Sequence, residues 1–251
     1  MTSEAEIRST IVESVSAEDI SRDSTLQSLP KISRLLASID HKHVDTIAAL
    51  GVGGGALVKA ISQSFDAHET YGIDTDSEAR SAASTRGITV YDINLESDPL
   101  PFEDDSIDLV VSFGLLEHLT WYDNVLSETE RVVRDGGYVV FAMPNMAGWT
   151  NRLSLLTGHQ PRNVEFSKEK PFGIMGAYDT EYPVGHVHTP TVEAFREFLA
   201  YHDFKEMETV GLHPYQKGHL VTLVDRLVSW RPSLCRRFAI LARYHPDSAS
   251  S

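Results

Sequence analysis

Val44-Asp-Thr-Ile-Ala-Ala-Leu-Gly51-Val-Gly53-Gly-Gly55-Ala-Leu-Val-Lys-Ala-Ile61 is the stretch whose reading decides the fold. An apolar run from Ile47 to Leu50 enters a glycine cluster, and beyond it Leu57, Val58 and Ile61 recur at helical spacing. The pattern predicts strand, tight turn, helix. Glycines at the turn free the backbone to take dihedrals closed to other residues and let a ligand lie against the main chain at the helix N-terminus.

The glycines alone do not choose a ligand. Gly51-x-Gly53-x-x-Ala56 fits a dinucleotide fingerprint, Gly51-x-Gly53-x-Gly55 fits the turn of S-adenosylmethionine (SAM) binders, and a glycine turn without a ligand is the third reading. Working outward, residues 70–73 form a second strand that ends at Asp74. The interval 74 − 51 = 23 residues is close to the roughly twenty expected for a carboxylate that accepts from a ribose diol in a βαβ unit. Asp76 can cap the helix that follows, which leaves Asp74 for that task.

Residues 88–91 read as a third short strand, and residues 107–111 as a fourth, continuously apolar as a strand covered on both faces should be. An amphipathic helix is expected over 123–133, stopped at Asp135-Gly136-Gly137, with a fifth strand over 138–142 closed by Pro144. This alternation predicts an α/β open parallel sheet with right-handed crossovers. Upstream, residues 1–43 are helical in pattern, with Ile7, Ile11, Val12 and Val15 and then Leu26, Leu29, Ile32, Leu35, Leu36 and Ile39 on apolar faces. Packing against the sheet is favoured there over a lid.

From Asn145 to Pro190 the alternation stops. The segment carries Trp149, Phe166, Phe172, Tyr178 and Tyr182 with His159, His186 and His188, and a long irregular segment of that kind is expected to cover a substrate. A helix opening at Thr191, a strand over 205–212, a helical stretch over 220–230 and a last strand over 237–241 follow. The domain plan is an N-terminal helical segment 1–43, a main domain 44–245 with its insertion at 145–190, and a disordered tail 246–251.

The net charge of −14, with 15 Arg against 7 Lys, argues against a broad phosphate-binding face and so against nucleic acid. Cys235 is the only cysteine, which excludes an intramolecular disulfide and a multi-cysteine metal site and favours a reducing compartment. With a polar, acidic N-terminus and no run of eighteen apolar residues, the expectation is a cytoplasmic protein without an integral membrane segment. Oligomeric state is left open.

Four pieces taken in order resemble the class I SAM-dependent methyltransferases, in particular the type 11 group. They are Ala49-Leu-Gly51-Val-Gly53-Gly-Gly55, Tyr71-Gly-Ile-Asp74, Asp92-Ile-Asn-Leu with Leu100-Pro-Phe-Glu-Asp-Asp-Ser-Ile-Asp108, and Leu116-Glu117-His118-Leu. Gly136-Gly137 and Pro144-Asn145 are similar to that family's fifth strand. The resemblance implies a Rossmann-like seven-stranded, mostly parallel sheet with helices on both faces, an antiparallel last strand and a lid-like insertion after strand 5. It implies SAM as cofactor, with Gly51, Gly53 and Gly55 against its methionine and ribose, Asp74 and Thr75 at the ribose, Asp92 and Ile93 at the adenine, and Ser112, Phe113 and Gly114 along the methionyl moiety. Ala49 stands where the family usually has an acid.

Methyl transfer from a sulfonium is an in-line displacement, so alignment and exclusion of water are the main tasks, and a hydroxyl acceptor also needs a base. His118 and His186 are the candidate catalytic groups. No metal is expected, because Glu117-His118 resembles the Glu-x-x-Glu-His metal pattern of quinone-biosynthesis O-methyltransferases with Gly114 at its first position, and two donors make a poor site unless the insertion supplies more. Residues 145–161 resemble methyltransferases of polysaccharide and glycolipid synthesis, implying a small-molecule or glycan-type hydroxyl acceptor. A catalytically silent SAM-binding or interaction module and a nicotinamide-dependent oxidoreductase are the alternatives. Residues 220–241, with Arg226, Arg231, Arg236 and Arg237 among apolar side chains, allow a membrane-surface contact, though packing on the sheet is favoured.

Overall fold

The computed structural model describes residues 4–14, 28–175, 183, 185–212 and 219–246. Seven strands form one sheet in the order β3-β2-β1-β4-β5-β7-β6. In chain order they are β1 (Thr46–Leu50), β2 (Glu69–Ile73), β3 (Thr89–Tyr91), β4 (Ile107–Phe113), β5 (Val133–Pro144), β6 (Phe204–Leu212) and β7 (Arg237–Tyr244). The first five pair in parallel, and β7 lies antiparallel to both β5 and β6. This is the predicted α/β sheet with its antiparallel last strand. The helices are α1 (Glu4–Ser14), α2 (Leu29–Ala37), α3 (Ala56–Phe65), α4 (Ser77–Thr85), α5 (Asp123–Val132), α6 (Trp149–Leu156), α7 (Val192–Tyr201) and α8 (His219–Val228).

Two apolar clusters flank the sheet. One packs α1, α2 and α3 on a face that includes Ile47, Val111, Val140 and Leu241, and the other packs α5 and α7 on Leu50, Val110, Phe141 and Phe238. β4 and β5 are buried along nearly their whole length because helices cover both faces, which is why they read as continuous apolar runs. In the N-terminal segment Ile7, Ile11, Leu29, Ile32, Leu35, Leu36 and Ile39 are all buried. Val15, Leu26, Tyr178, Tyr182 and residues 247–251 lie outside the described residues.

One boundary differs from expectation. Asp135-Gly136-Gly137 does not stop α5; the helix ends at Val132 and the glycines sit inside β5. They form an irregularity, with Ile107 opposite Val133 but Leu109 opposite Tyr138. Gly136 takes a φ of 75° there. A positive-φ glycine serves a helix C-terminus and a bulge equally well, so the pattern could not tell them apart. The 145–190 segment also contains a helix, α6, where only irregular chain was expected.

The Leu-Pro-Phe…Asp108 motif turns out to be structural at its last residue. Asp108 accepts from the Asp45 and Thr46 backbone N–H groups (2.7 and 2.8 Å) and from the Thr46 hydroxyl (2.9 Å), and it pairs with Arg134. It pins β1 to β4 at the end of the sheet opposite the glycine turn.

Candidate active site

The carboxyl ends of β1, β2 and β4 meet at the glycine turn. Gly51 and Val52 both donate to the Ile73 carbonyl (2.9 and 3.0 Å), joining the turn to the end of β2. Gly51 has φ +73°, and a Cβ there would lie 2.9 Å from Leu115 Cβ, so no larger residue fits. Gly53 has φ +50° and nothing within 4 Å of a virtual Cβ. It opens onto free space at the N-terminus of α3. That is a cradle in which a ligand can lie against the main chain, and the positive end of the helix dipole favours a carboxylate there. A SAM-type group fits these residues.

Asp74 sits at the end of β2 and has more than one task. Its Oδ2 accepts from Gly53 N (2.9 Å) and its Oδ1 from Asp76 N (3.0 Å), so it fastens the glycine turn directly. Each carboxylate oxygen keeps a second acceptor site, which leaves capacity for a diol. Asp76 caps α4 through Glu78 N and Ala79 N (2.8 and 3.2 Å). Thr75 is exposed beside it. Ala49 is fully buried in the core, pointing into apolar packing, so the residue that organises this turn is Asp74.

Asp92 pairs with Arg80 Nη2 (2.9 Å), and Arg80 Nη1 donates to the Asp74 carbonyl (3.0 Å). Arg80 therefore bridges the two acids singled out for ribose and adenine. Arg80 was not among the residues singled out from the sequence. Ile93 is half-buried against the second core cluster. Ser112 is buried with its hydroxyl unpartnered, Phe113 is half-buried, and Gly114 turns the chain at φ +78° with its N–H on the Ala142 carbonyl (2.8 Å).

Just past that corner the insertion folds back. Glu165 Oε2 accepts from Gly185 N and His186 N (2.7 and 3.2 Å), and Val187 N donates to the Glu117 carbonyl (2.9 Å), so residues 185–188 are laid over Leu116–His118. The His118 and His186 rings stand 5.0 Å apart, and His186 Nε2 is 3.9 Å from Glu117 Oε1. His118 Nδ1 lies 3.1 Å from the Gly185 carbonyl. A carbonyl only accepts, so Nδ1 carries a proton and Nε2 is the nitrogen left to take one up or give one away. The two sequence-selected histidines thus come together, with Glu117 as the third member and Glu165 as the residue that positions the loop.

Burial dominates the electrostatics here. Glu117 is buried with Oε2 unpartnered, and its carboxyl is pushed above the usual range by burial, against the pull of Arg237 and His118. His186 is lowered to about 4, first by burial and then by the charges of His118, Arg237 and Arg162. It is neutral at physiological pH. Tyr122 is pushed up by burial and by Glu117 and stays protonated.

The insertion does supply a third donor: Glu117, His118 and His186 each offer a ligand atom, all within 4.8 Å of one another. Arg237 Nη2 and Glu117 Oε1 both lie 3.5 Å from where a Cβ on Gly114 would stand, so a guanidinium already brings positive charge to this group and a dication would enter against it. Beside the cluster an open cavity of about 290 Å³ is lined by Trp121, Tyr122, His188, Pro190 and Phe198 among others. Its aromatic walls were not foreseen, since they come from two segments some sixty-six residues apart (188 − 122).

A family model described as a methyltransferase domain (Methyltransf_11) matches residues 48–141. A malonyl-[acyl-carrier protein] O-methyltransferase of Marinomonas sp. (strain MWYL1) is 27% identical over 114 residues, which are 44% of this chain and 42% of that relative. The match thus spans less than half the length of that curated relative. Among solved structures, a chain from the complex of the Haloferax volcanii Trm112 methyltransferase activator superposes with a TM-score of 0.61 at 14% identity, covering 96% of this chain and 98% of that one. A SAM-dependent methyltransferase of Thermotoga maritima gives 0.59 at 14%, over 95% and 98%. Residues 48–141 thus match a methyltransferase-domain model, and the fold of the chain superposes almost end to end on those solved structures.

Proposed function

We propose that the chain transfers a methyl group from SAM to an oxygen of its acceptor, a hydroxyl of a small molecule or of a glycan or glycolipid. The observation that carries this reading is the meeting of His118, Glu117 and His186 beside the glycine-turn crevice. When bound, SAM supplies an electrophilic methyl group on a sulfonium. Gly51, Gly53, Gly55 and the N-terminus of α3 would hold its amino-acid part, Asp74 and Thr75 its ribose, Asp92 and Ile93 its adenine, and Ser112 to Gly114 the corner between them.

The chain's own residues do the rest. His118 Nε2, the nitrogen left to take up a proton because Nδ1–H is held by the Gly185 carbonyl, takes the hydroxyl proton. His186 is too weak a base for that step and acts as a neutral positioning group between Glu117 and His118. The loop at 185–188, tied down through Glu165, covers the Glu117 side of the cluster and leaves His118 open to an incoming acceptor. No resident metal is needed. Asn, Arg and His side chains with the aromatic cavity suit a polar, ring-bearing acceptor. The O-methyltransferase name of the Marinomonas relative is in keeping with oxygen as the acceptor atom.

The test is release of S-adenosylhomocysteine across a panel of hydroxyl-bearing acceptors, with wild type, His118→Gln and EDTA-treated protein. Turnover on a hydroxyl acceptor is expected, with His118→Gln down at least a hundredfold in kcat, SAM affinity unchanged, and EDTA without effect. SAM binding without turnover on any acceptor would place the chain among catalytically silent modules, and loss of turnover in EDTA would refute the metal-free reading.

A further inference from the structure

Two helices at the carboxyl end of the sheet are turned inside out. In α8 the exposed residues are Leu220 (74%), Leu223 (54%) and Leu227 (64%), continued by Trp230 (74%), while the residue it buries is a charged one, Asp225. Spacings of three and four put the three leucines on one stripe of the helix, away from Asp225, and Trp230 follows just past the helix end. α6 also buries polar side chains, Asn151 and Ser154, and exposes Leu153, Leu155 and Leu156. Isolated exposed leucines are ordinary on a protein surface, but an amphipathic helix with its apolar stripe outward is not.

The buried polar side explains why these faces stay outward. Asp225 Oδ1 accepts from Trp149 Nε1 at the start of α6 (2.8 Å) and from Arg236 Nε (3.1 Å), and Oδ2 pairs with Arg236 Nη2 (2.5 Å). Rotating α8 to bury its leucines would expel this bonded set. Trp149 also ties the two helices into one surface. Asn145 locks the root of the same region by donating to the Cys235 and Ser233 carbonyls (2.8 and 3.1 Å).

Charge identifies what covers the face. The chain carries a net −14, yet residues 149–156 and 219–236, which hold the two helices, carry four arginines (152, 226, 231 and 236) against one acid, Asp225. With the Asp225–Arg236 pair neutral, three positive charges remain. Arg152, Arg226 and Arg231 are exposed, and Arg231 lies over the Trp230 ring at 5.1 Å. An outward apolar stripe with tryptophan at its end and arginines along its flank matches the boundary between lipid headgroups and acyl chains, where aromatic rings sit and arginines reach phosphate. No helix among the described residues is long and apolar enough to cross a membrane, so the contact is with the surface.

We propose that the α6/α8 face seats the protein on an anionic lipid bilayer. β5 and β6 end together, Pro144 and Leu212 both facing Arg237 in register, at the end of the sheet where β1 and β4 form the crevice. A bilayer under α6 and α8 therefore lies beside that crevice. On the methyl-transfer reading, which this last consequence alone requires, the acceptor is lipid-borne.

The experiment is co-sedimentation of the purified full chain, without SAM, with vesicles of phosphatidylglycerol and phosphatidylcholine or of phosphatidylcholine alone. Tryptophan emission and the oligomeric state in solution are followed alongside. Binding to the anionic vesicles with a blue shift, weakened by salt and by omission of phosphatidylglycerol, is expected. R226Q/R231Q should bind roughly 25-fold more weakly, at about fivefold per arginine near a charged surface. L223Q/L227Q should lose at least about tenfold. These four positions are exposed, so both variants should melt like wild type. No sedimentation with anionic vesicles, or sedimentation unchanged in both variants, overturns the proposal. So does a solution dimer that L223Q/L227Q converts to monomer without any vesicle binding, which would assign the face to a second copy of the chain. Because SAM is absent from this assay, its outcome is separate from that of the cofactor reading.

Discussion

Gly51 and Gly53 share a left-handed backbone but should respond to the same substitution in opposite ways. An alanine in that conformation costs about 1–2 kcal/mol relative to glycine at either position. At Gly51 the new methyl would also stand 2.9 Å from Leu115 Cβ and 3.1 Å from its Cδ1. Cβ moves only with the backbone, so overpacking of about 1–3 kcal/mol is added. Gly51→Ala should therefore lose about 2–5 kcal/mol in urea denaturation, whereas Gly53→Ala, with open space around its methyl, should lose only about 1–2. In a chain of this size each kcal/mol is worth roughly 2–4 °C in Tm. Calorimetric titration with SAM should give the converse order for Gly53→Ala: a nearly intact fold with affinity reduced at least tenfold, because the methyl occupies the space assigned to the cofactor. Gly53→Ala that binds SAM like wild type, or Gly51→Ala as stable as wild type, would refute this account of the turn.

Asp225→Ala should cost about 3–5 kcal/mol in equilibrium unfolding, since it strands the buried guanidinium of Arg236 and the indole N–H of Trp149. A loss below about 1 kcal/mol would mean the pair does not set the orientation of α8. His186 makes stability fall in acid. Its folded pKa of about 4 lies below the ordinary 6.5, so the contribution is complete above about pH 6.5 and is lost as pH falls towards 4, a span of about 3 kcal/mol. Glu117, raised by burial, acts with the opposite sign, so the comparison is wild type against His186→Gln, which keeps Glu117. The wild-type advantage at pH 7.5 should shrink at pH 4.5, and a gap independent of pH would contradict it. Asp76→Ala should cost about 1 kcal/mol through loss of the α4 cap, read as a Tm shift of a few degrees.

Much of the fold was legible because its signals are local. The β1–turn–α3 stretch declares itself through an apolar run, glycines and helical spacing within eighteen residues, and β4 through continuous apolarity. Asp135-Gly136-Gly137 was misread because a bulge and a helix end place the same demand on glycine. The pairing of His186 with Glu117 could not be read, since it joins residues sixty-nine apart (186 − 117) through a loop that Glu165 fixes from elsewhere. Arg80 escaped for a similar reason: its partners Asp74 and Asp92 end different strands. Residues 220–230 read as a helical stretch, but helical spacing does not say whether the apolar stripe faces the core. Asp225 and Arg236, burying each other, turned that stripe outward.

The crevice is the centre of the account, and direct titration of the folded chain with SAM, S-adenosylhomocysteine and NADH tests it best. The account predicts saturable micromolar binding of both adenosyl ligands, weakened by Asp74→Ala, and none of NADH. A folded protein that binds neither adenosyl ligand would contradict it and would mean that a core filled by Ala49 has left the turn without its cofactor.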